Sequence, residues 1–154
     1  MRRFMIACCA ALLVGCAKKD GTPAADSAAM DTPAPAADIT LADVAGKWTV
    51  QVAPETSDTT LLTYELNATA DTSGWTLTFP GRPPIPLRIV AVAGDSIVSE
   101  AGPYESALRA GVQVWTRSVN RLNGDRLMGT TTAHYATTGA DSVVNLRSRG
   151  TRAP

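Results

Sequence analysis

The chain has 154 residues, with fourteen Lys and Arg against fourteen Asp and Glu, so its formal net charge is zero. No global field then draws nucleic acid or an acidic substrate, and nucleic-acid binding is not expected. The three cysteines, Cys8, Cys9 and Cys16, all lie near the amino terminus, which leaves the remainder no thiol for a disulfide, a metal or a nucleophile.

Arg2 and Arg3 precede an uncharged, mostly apolar stretch from Phe4 to Gly15. At about a dozen residues it is shorter than the ~18 needed for a transmembrane helix, and a basic flank before a short apolar core is the pattern of an export signal. The stretch ends in Leu13-Val14-Gly15-Cys16. This resembles the lipobox of bacterial lipoproteins, in which small residues precede a cysteine that is acylated. The resemblance covers only these residues. It implies a signal peptide at 1–15, lipidation of Cys16 with diacylglycerol and palmitate-type chains, and a membrane anchor in the cell envelope. Each buried methylene adds ~0.8 kcal/mol to membrane binding, so several chains together make release very slow. No aspartate follows Cys16 directly. By analogy with the sorting signal of enteric bacteria, the outer membrane is favoured over the inner.

The segment 16–39 is dominated by Ala, Pro, Asp, Ser and Thr, as in Gly21-Thr22-Pro23-Ala24-Ala25. So few large apolar side chains cannot offset the entropy of ordering, and a disordered leash is expected. The folded domain is expected over 40–154.

Thr40-Leu41-Ala42-Asp43 reads as a capping box with aspartate in the usual glutamate position, and Gly46 can end one short turn of helix. Eight strand runs then follow, at about Lys47–Val52, Leu61–Ala68, Trp75–Phe79, Leu87–Val92, Ser96–Ala101, Val112–Leu122, Arg126–Tyr135 and Ser142–Arg149. Alternation is clearest early: Trp48, Val50 and Val52 share a face, as do Leu62, Tyr64 and Leu66, and Trp75, Leu77 and Phe79. Asn123-Gly124 is a strong hairpin signal, with Ala93-Gly94-Asp95 and Thr72-Ser73-Gly74 weaker ones. Pro80-Gly81-Arg82-Pro83-Pro84 must be a loop, and Gly102 to Gly111 reads as the longest connection. No run is long enough for a crossover helix. The expected fold is all-β: a single eight-stranded antiparallel up-and-down barrel.

Gly46-Lys47-Trp48 after a helical turn is similar to the start of the first strand in the calycin superfamily, the lipocalins and avidins. The resemblance implies a lipocalin-like barrel in which an arginine late in the last strand packs over the tryptophan. Gly46, Trp48, Arg149 and Arg152 are the structural residues it points to. The biotin-binding residues of the avidins have no matching positions here.

Eight strands enclose a space that side chains fill or that holds one small ligand. Val112, Val114, Thr116 and Ser118 share one face, and Leu127, Gly129, Thr131, Ala133 and Tyr135 another. If these small and hydroxylated faces point inward, a cavity follows; if Trp115 and Val119 do, the lumen is filled. The candidate ligand-binding residues are Tyr64, Trp75, Tyr104, Thr116, Thr131 and Tyr135.

No catalytic, metal or cofactor residue is assigned. His134 is the only histidine and has no second metal ligand at useful spacing, and Ser142 with Asp141 or Ser106 with Glu105 has no adjacent base. The expected function is a non-enzymatic envelope lipoprotein that binds a small, partly apolar molecule. The alternative is a structural or interaction module contacting another envelope protein through the Tyr104 loop or the arginine-rich late strands, which carry Arg109, Arg117, Arg121, Arg126, Arg147, Arg149 and Arg152.

Overall fold

The computed structural model describes residues 38–154; the expected signal peptide, Cys16 and the linker as far as residue 37 lie outside the described residues. The first element is α1 (Leu41–Val44). Thr40 Oγ1 accepts from the Asp43 N–H at 3.3 Å while the Asp43 carboxylate accepts from the Thr40 N–H at 2.8 Å, the reciprocal capping read from the sequence.

The eight strands are β1 (Gly46–Pro54), β2 (Leu62–Ala68), β3 (Thr76–Thr78), β4 (Ile85–Ala93), β5 (Ser96–Glu105), β6 (Gln113–Asn123), β7 (Arg126–Tyr135) and β8 (Val143–Arg152). Each pairs antiparallel with the next, and β1 pairs with β8 from Trp48↔Arg152 to Pro54↔Leu146, so the sheet closes into a barrel. Closure leaves no free first or last edge. The topology puts α1 and the β2–β3, β4–β5 and β6–β7 connections at one end, here called the base. The other four connections lie at the opposite end, the mouth.

The base is filled. Trp48 and Val44 are fully buried, and Ile39, Val50, Leu66, Trp75, Ile97 and Leu127 complete an apolar cluster around them. The last carbonyls of a helix lack intrahelical donors. Here Trp48 Nε1 donates to Val44 O at 2.8 Å, and Arg152 donates to Ala45 O at 2.8 Å and Asp43 O at 2.7 Å. The Arg152 guanidinium lies 4.4 Å over the Trp48 ring. Of the two arginines expected to stack there, Arg152 does so. Arg149 faces outward, 3.5 Å from Asp58, because successive strand side chains alternate and Leu146, Ser148 and Gly150 carry the inward phase. Gly46 has φ +127, a backbone conformation that favours glycine, and a Cβ there would press on Arg152 Nη1 at 3.0 Å. We expect Arg152→Met to cost about 1–2 kcal/mol in chemical denaturation, from one cation–π stack and two charge-assisted bonds at a partly solvated site. An unchanged midpoint would make the stack incidental.

Strand ends other than that of β5 shift by up to three residues, and three departures bear on the site. Ile39, expected in the linker, is buried and its N–H donates to Gly94 O at 2.7 Å, so the folded part takes in this residue. The β6–β7 turn is centred one residue later than Asn123-Gly124: Asn123 pairs with Arg126, and Gly124-Asp125 make the turn, with Gly124 at φ +61. The β4–β5 turn has the same form and falls where expected, with Ala93 paired to Ser96 around Gly94-Asp95. Finally, β5 does not stop at Ala101. A shift of register between Ala101 and Tyr104 absorbs Gly102 and Pro103, and pairing resumes to Glu105↔Gln113. The connection expected from Gly102 to Gly111 therefore shrinks to the segment between Glu105 and Gln113.

Candidate functional site

The inward residues change character along the barrel axis. In β6 they are Val114, Thr116, Ser118 and Asn120; in β7, Leu127, Gly129, Thr131, Ala133 and Tyr135; in β8, Leu146 and Ser148. Trp115 and Val119 lie on the outer face, and the Trp115 ring meets exposed His134 at a tilt of 51° with ring centroids 5.0 Å apart. Above the apolar base sits a polar layer. A Cβ on Gly129 would collide with Asn120 Oδ1 and meet Ser148 Oγ at 2.6 Å, so the missing side chain is what lets these groups approach. Next, the Ser118 and Thr131 hydroxyls bond each other at 2.8 Å.

Towards the mouth a cavity of about 50 Å³ opens. Tyr64, Tyr104, Tyr135, Thr116, Ser118 and Thr131 give it hydroxyl groups; Val52, Leu62, Leu77, Phe79, Val114, Ala133 and Leu146 give it apolar walls. Tyr64 and Phe79 meet edge to face at 5.8 Å, and Phe79 lies 6.0 Å from Tyr104. As it stands the space suits a few waters or one small apolar group; a drug-sized ligand needs roughly 300 Å³.

Ser106, Ala107 and Leu108 of the β5–β6 connection roof the cavity. Buried Ser106 Oγ accepts from the backbone N–H groups of Leu108 and Arg109, both at 3.0 Å, which folds the roof on itself. Arg109 lies 4.0 Å over the Tyr135 ring and donates to Asp141 O at 2.9 Å, in the 3-10 turn Ala140–Ser142 before β8. From the β3–β4 loop, Arg82 donates to Glu105 O at 2.7 Å and Ser106 O at 3.3 Å. The roof is therefore pinned from two sides.

Burial, with the neighbouring Tyr104 adding to it, pushes the Tyr64 phenol well above its ordinary value of 10.0. Burial also raises Tyr104, with adjacent Thr116 pulling the other way and Tyr135 adding to the rise. Both phenols stay protonated as donors at neutral pH. In the unfolded chain they ionise near 10.0 and in the folded one later, so stability is unaffected below that pH and falls as pH rises through and beyond it. Alkaline titration followed by phenolate absorbance is expected to show a step delayed past the free-tyrosine value, collapsing to that value in denaturant.

Of the six candidate ligand residues, Tyr64, Tyr104, Thr116, Thr131 and Tyr135 converge on this lining. Trp75 does not: it enters the barrel at the base, packs in the Trp48 cluster, and its Nε1 donates to Asp71 O at 2.8 Å. Phe79, Leu108 and Arg109 were missed. Phe79 was readable, since it shares the alternating face of Leu77; the two roof residues lie outside any strand pattern.

Most of the late arginines are engaged within the domain. Arg117 and Arg88 both pair with Glu100, a largely buried carboxylate on the outer face, with Arg117 at 2.6 Å. Arg121 pairs with Asp95 at 3.0 Å, and Arg147 with Asp58 at 2.7 Å. Tyr104 points into the cavity rather than outward from a loop. Comparison with protein-family models, with curated proteins and with solved structures finds no match to this chain. The barrel's own geometry is then the basis for any functional reading.

Proposed function

We propose that this barrel is a non-enzymatic carrier or sensor that holds a small, partly apolar molecule in the mouth cavity, tethered to an envelope membrane through a lipid on Cys16. One observation carries the reading: three tyrosines and three hydroxylated residues face one internal space, beside aliphatic walls. A barrel that only had to fill itself would place aliphatic side chains there, as this one does at its base. Hydroxyls above an apolar floor suit a ligand with a hydrocarbon body and one or two hydrogen-bonding atoms. The short helix, Gly46-Lys47-Trp48 and the Arg152 stack support kinship with the calycins.

The test is native mass spectrometry of the protein taken from the envelope in detergent, followed by identification of what solvent strips from it. A small molecule at near-stoichiometric occupancy is expected, reduced roughly tenfold by Tyr104→Leu, the cost of one buried hydrogen-bonding partner. A co-purifying protein at equal stoichiometry with no extractable ligand would instead favour the interaction module. Engagement of six of the seven late arginines in internal contacts is an argument against that alternative.

A further inference from the structure

The outer wall carries a recess of about 300 Å³ across β4, β5 and β6, bordered by Pro86, Arg88, Glu100, Gly102 and Trp115. It shares no lining residue with the mouth cavity. Its origin is local. Ala101 pairs with Thr116 and with Leu87, all three facing inward, so their strand neighbours Glu100, Trp115, Pro86 and Arg88 point outward. At the register shift between Ala101 and Tyr104 the chain passes through Gly102, which has no side chain to fill the space.

Trp115 forms one wall. Trp48 and Trp75 are buried in the base, whereas Trp115 is half-buried, with His134 of β7 on one flank and the recess on the β5 side. Part of a large apolar ring therefore stays in contact with water. Beside it lies an ion-pair triad. The Glu100 side chain is only 10% exposed, with one carboxylate oxygen accepting from Arg117 at 2.6 Å and the other from Arg88. A carboxylate has about four acceptor sites and a guanidinium five donors, so both keep unused capacity. Among the described residues Arg88 has no second acceptor, and its side chain is 72% exposed.

This chemistry excludes most ligand classes. An anion that reaches Arg88 meets the Glu100 carboxylate, a cation meets two guanidinium groups, and a wholly apolar molecule covers the unused donors and acceptors without satisfying them. A neutral molecule with one apolar face and adjacent hydroxyls along its edge meets every demand. One hydroxyl donates to Glu100 while its neighbour accepts from Arg88. A pyranose ring with equatorial hydroxyls has this form, because its C–H groups lie on its faces. We propose that the recess is a binding site for a neutral pyranose unit, its flat face on Trp115 and two neighbouring hydroxyls on Arg88 and Glu100, with Arg117 holding Glu100 in place. A volume of about 300 Å³ is at the lower end for small-molecule sites and suits one ring. This site stands independently of the mouth cavity.

The test is nuclear magnetic resonance titration of the nitrogen-15-labelled full chain with methyl β-glucoside, with methyl β-glucuronide as its acidic counterpart, and with glucitol, an open-chain polyol. The indole N–H signals of Trp48, Trp75 and Trp115 and the Gly102 amide are the reporters. We expect the glucoside to move the Trp115 and Gly102 signals saturably while those of Trp48 and Trp75 stay still. Arg88→Gln and Glu100→Gln should each weaken it about tenfold, the loss of one charge-assisted hydrogen bond. The exposure of Arg88 means that its variant keeps the fold even if Glu100→Gln does not. Trp115→Ala should abolish the Gly102 response and leave the rest of the spectrum in place. The glucuronide should bind more weakly than the glucoside, and glucitol should give no saturable shift. Absence of a saturable Trp115 shift with the glucoside overturns the site. Undiminished binding to Arg88→Gln overturns the hydroxyl contacts, equal or tighter binding of the glucuronide overturns the neutral ligand, and an equal response to glucitol overturns the ring.

Discussion

Trp48→Ala is expected to lower the stability of the barrel by about 4 kcal/mol or more, against a total of ~5–15 kcal/mol for a domain of this kind. Three losses act together. The indole is fully buried in the base cluster, so its removal opens a cavity that a closed sheet cannot collapse to fill. Val44 O loses the donor that terminates α1, and Arg152 loses the surface it covers. Trp48→Phe separates these: it keeps most of the packing and loses the N–H, with an expected cost of about 1–2 kcal/mol. Trp115→Ala on the outer face is the control and should stay within about 1 kcal/mol. Urea denaturation of the three variants decides it, and equal losses for Trp48→Ala and Trp115→Ala would show that the base cluster does not hold the barrel shut.

The strand order was legible because a period of two survives in nearly every run. Trp48, Val50 and Val52 face inward with no exception, and the same phase carries through Leu66, Leu77 and Ile97. Once eight such runs follow one another without a crossover helix, few ways remain to bury one face, and closure is among them. The errors fall where a local signal has two readings. Asn-Gly promises a turn but not which residue leads it, and here the Gly124-Asp125 pair matches the Gly94-Asp95 turn beside it. A proline in a strand argues for its end, but the irregular register between Ala101 and Tyr104 carries β5 past Pro103.

The cavity was half legible. Faces could be assigned from alternation, so Thr116, Thr131 and Tyr135 could be placed together, and choosing between those faces and Trp115 needed the register itself. Trp75 was misplaced because alternation gives the face of a strand and not the height along the barrel axis; its neighbours in space are Trp48 and Leu66. The roof could not be read at all. Arg82 reaches carbonyls twenty-three and twenty-four residues on, and Arg109 a carbonyl thirty-two residues on, contacts that no periodicity announces.

The strongest single test of how the fold builds the cavity is Gly102→Ala, expected to cost about 2–4 kcal/mol and to disturb the tyrosine cluster as well. Gly102 has φ +114, a region that L side chains rarely adopt. A Cβ there would lie 2.7 Å from Val114 O and 3.0 Å from Trp115 Cα, both main-chain atoms of β6, so no rotamer change relieves it. Relief must come from moving β5 away from β6 at the register shift that aims Tyr104 inward. Tyr104 would then lose its place against Phe79, and its phenol, released from burial, should titrate closer to the ordinary value. Gly111→Ala in the roof provides the comparison: its φ of +73 is also positive, but a Cβ there meets nothing within 4 Å. It carries the backbone strain alone, about 1 kcal/mol. Thermal denaturation and phenolate titration of both variants separate the two contributions. If Gly102→Ala matches Gly111→Ala in both readouts, the close approach of β5 to β6 is not what positions the cavity wall.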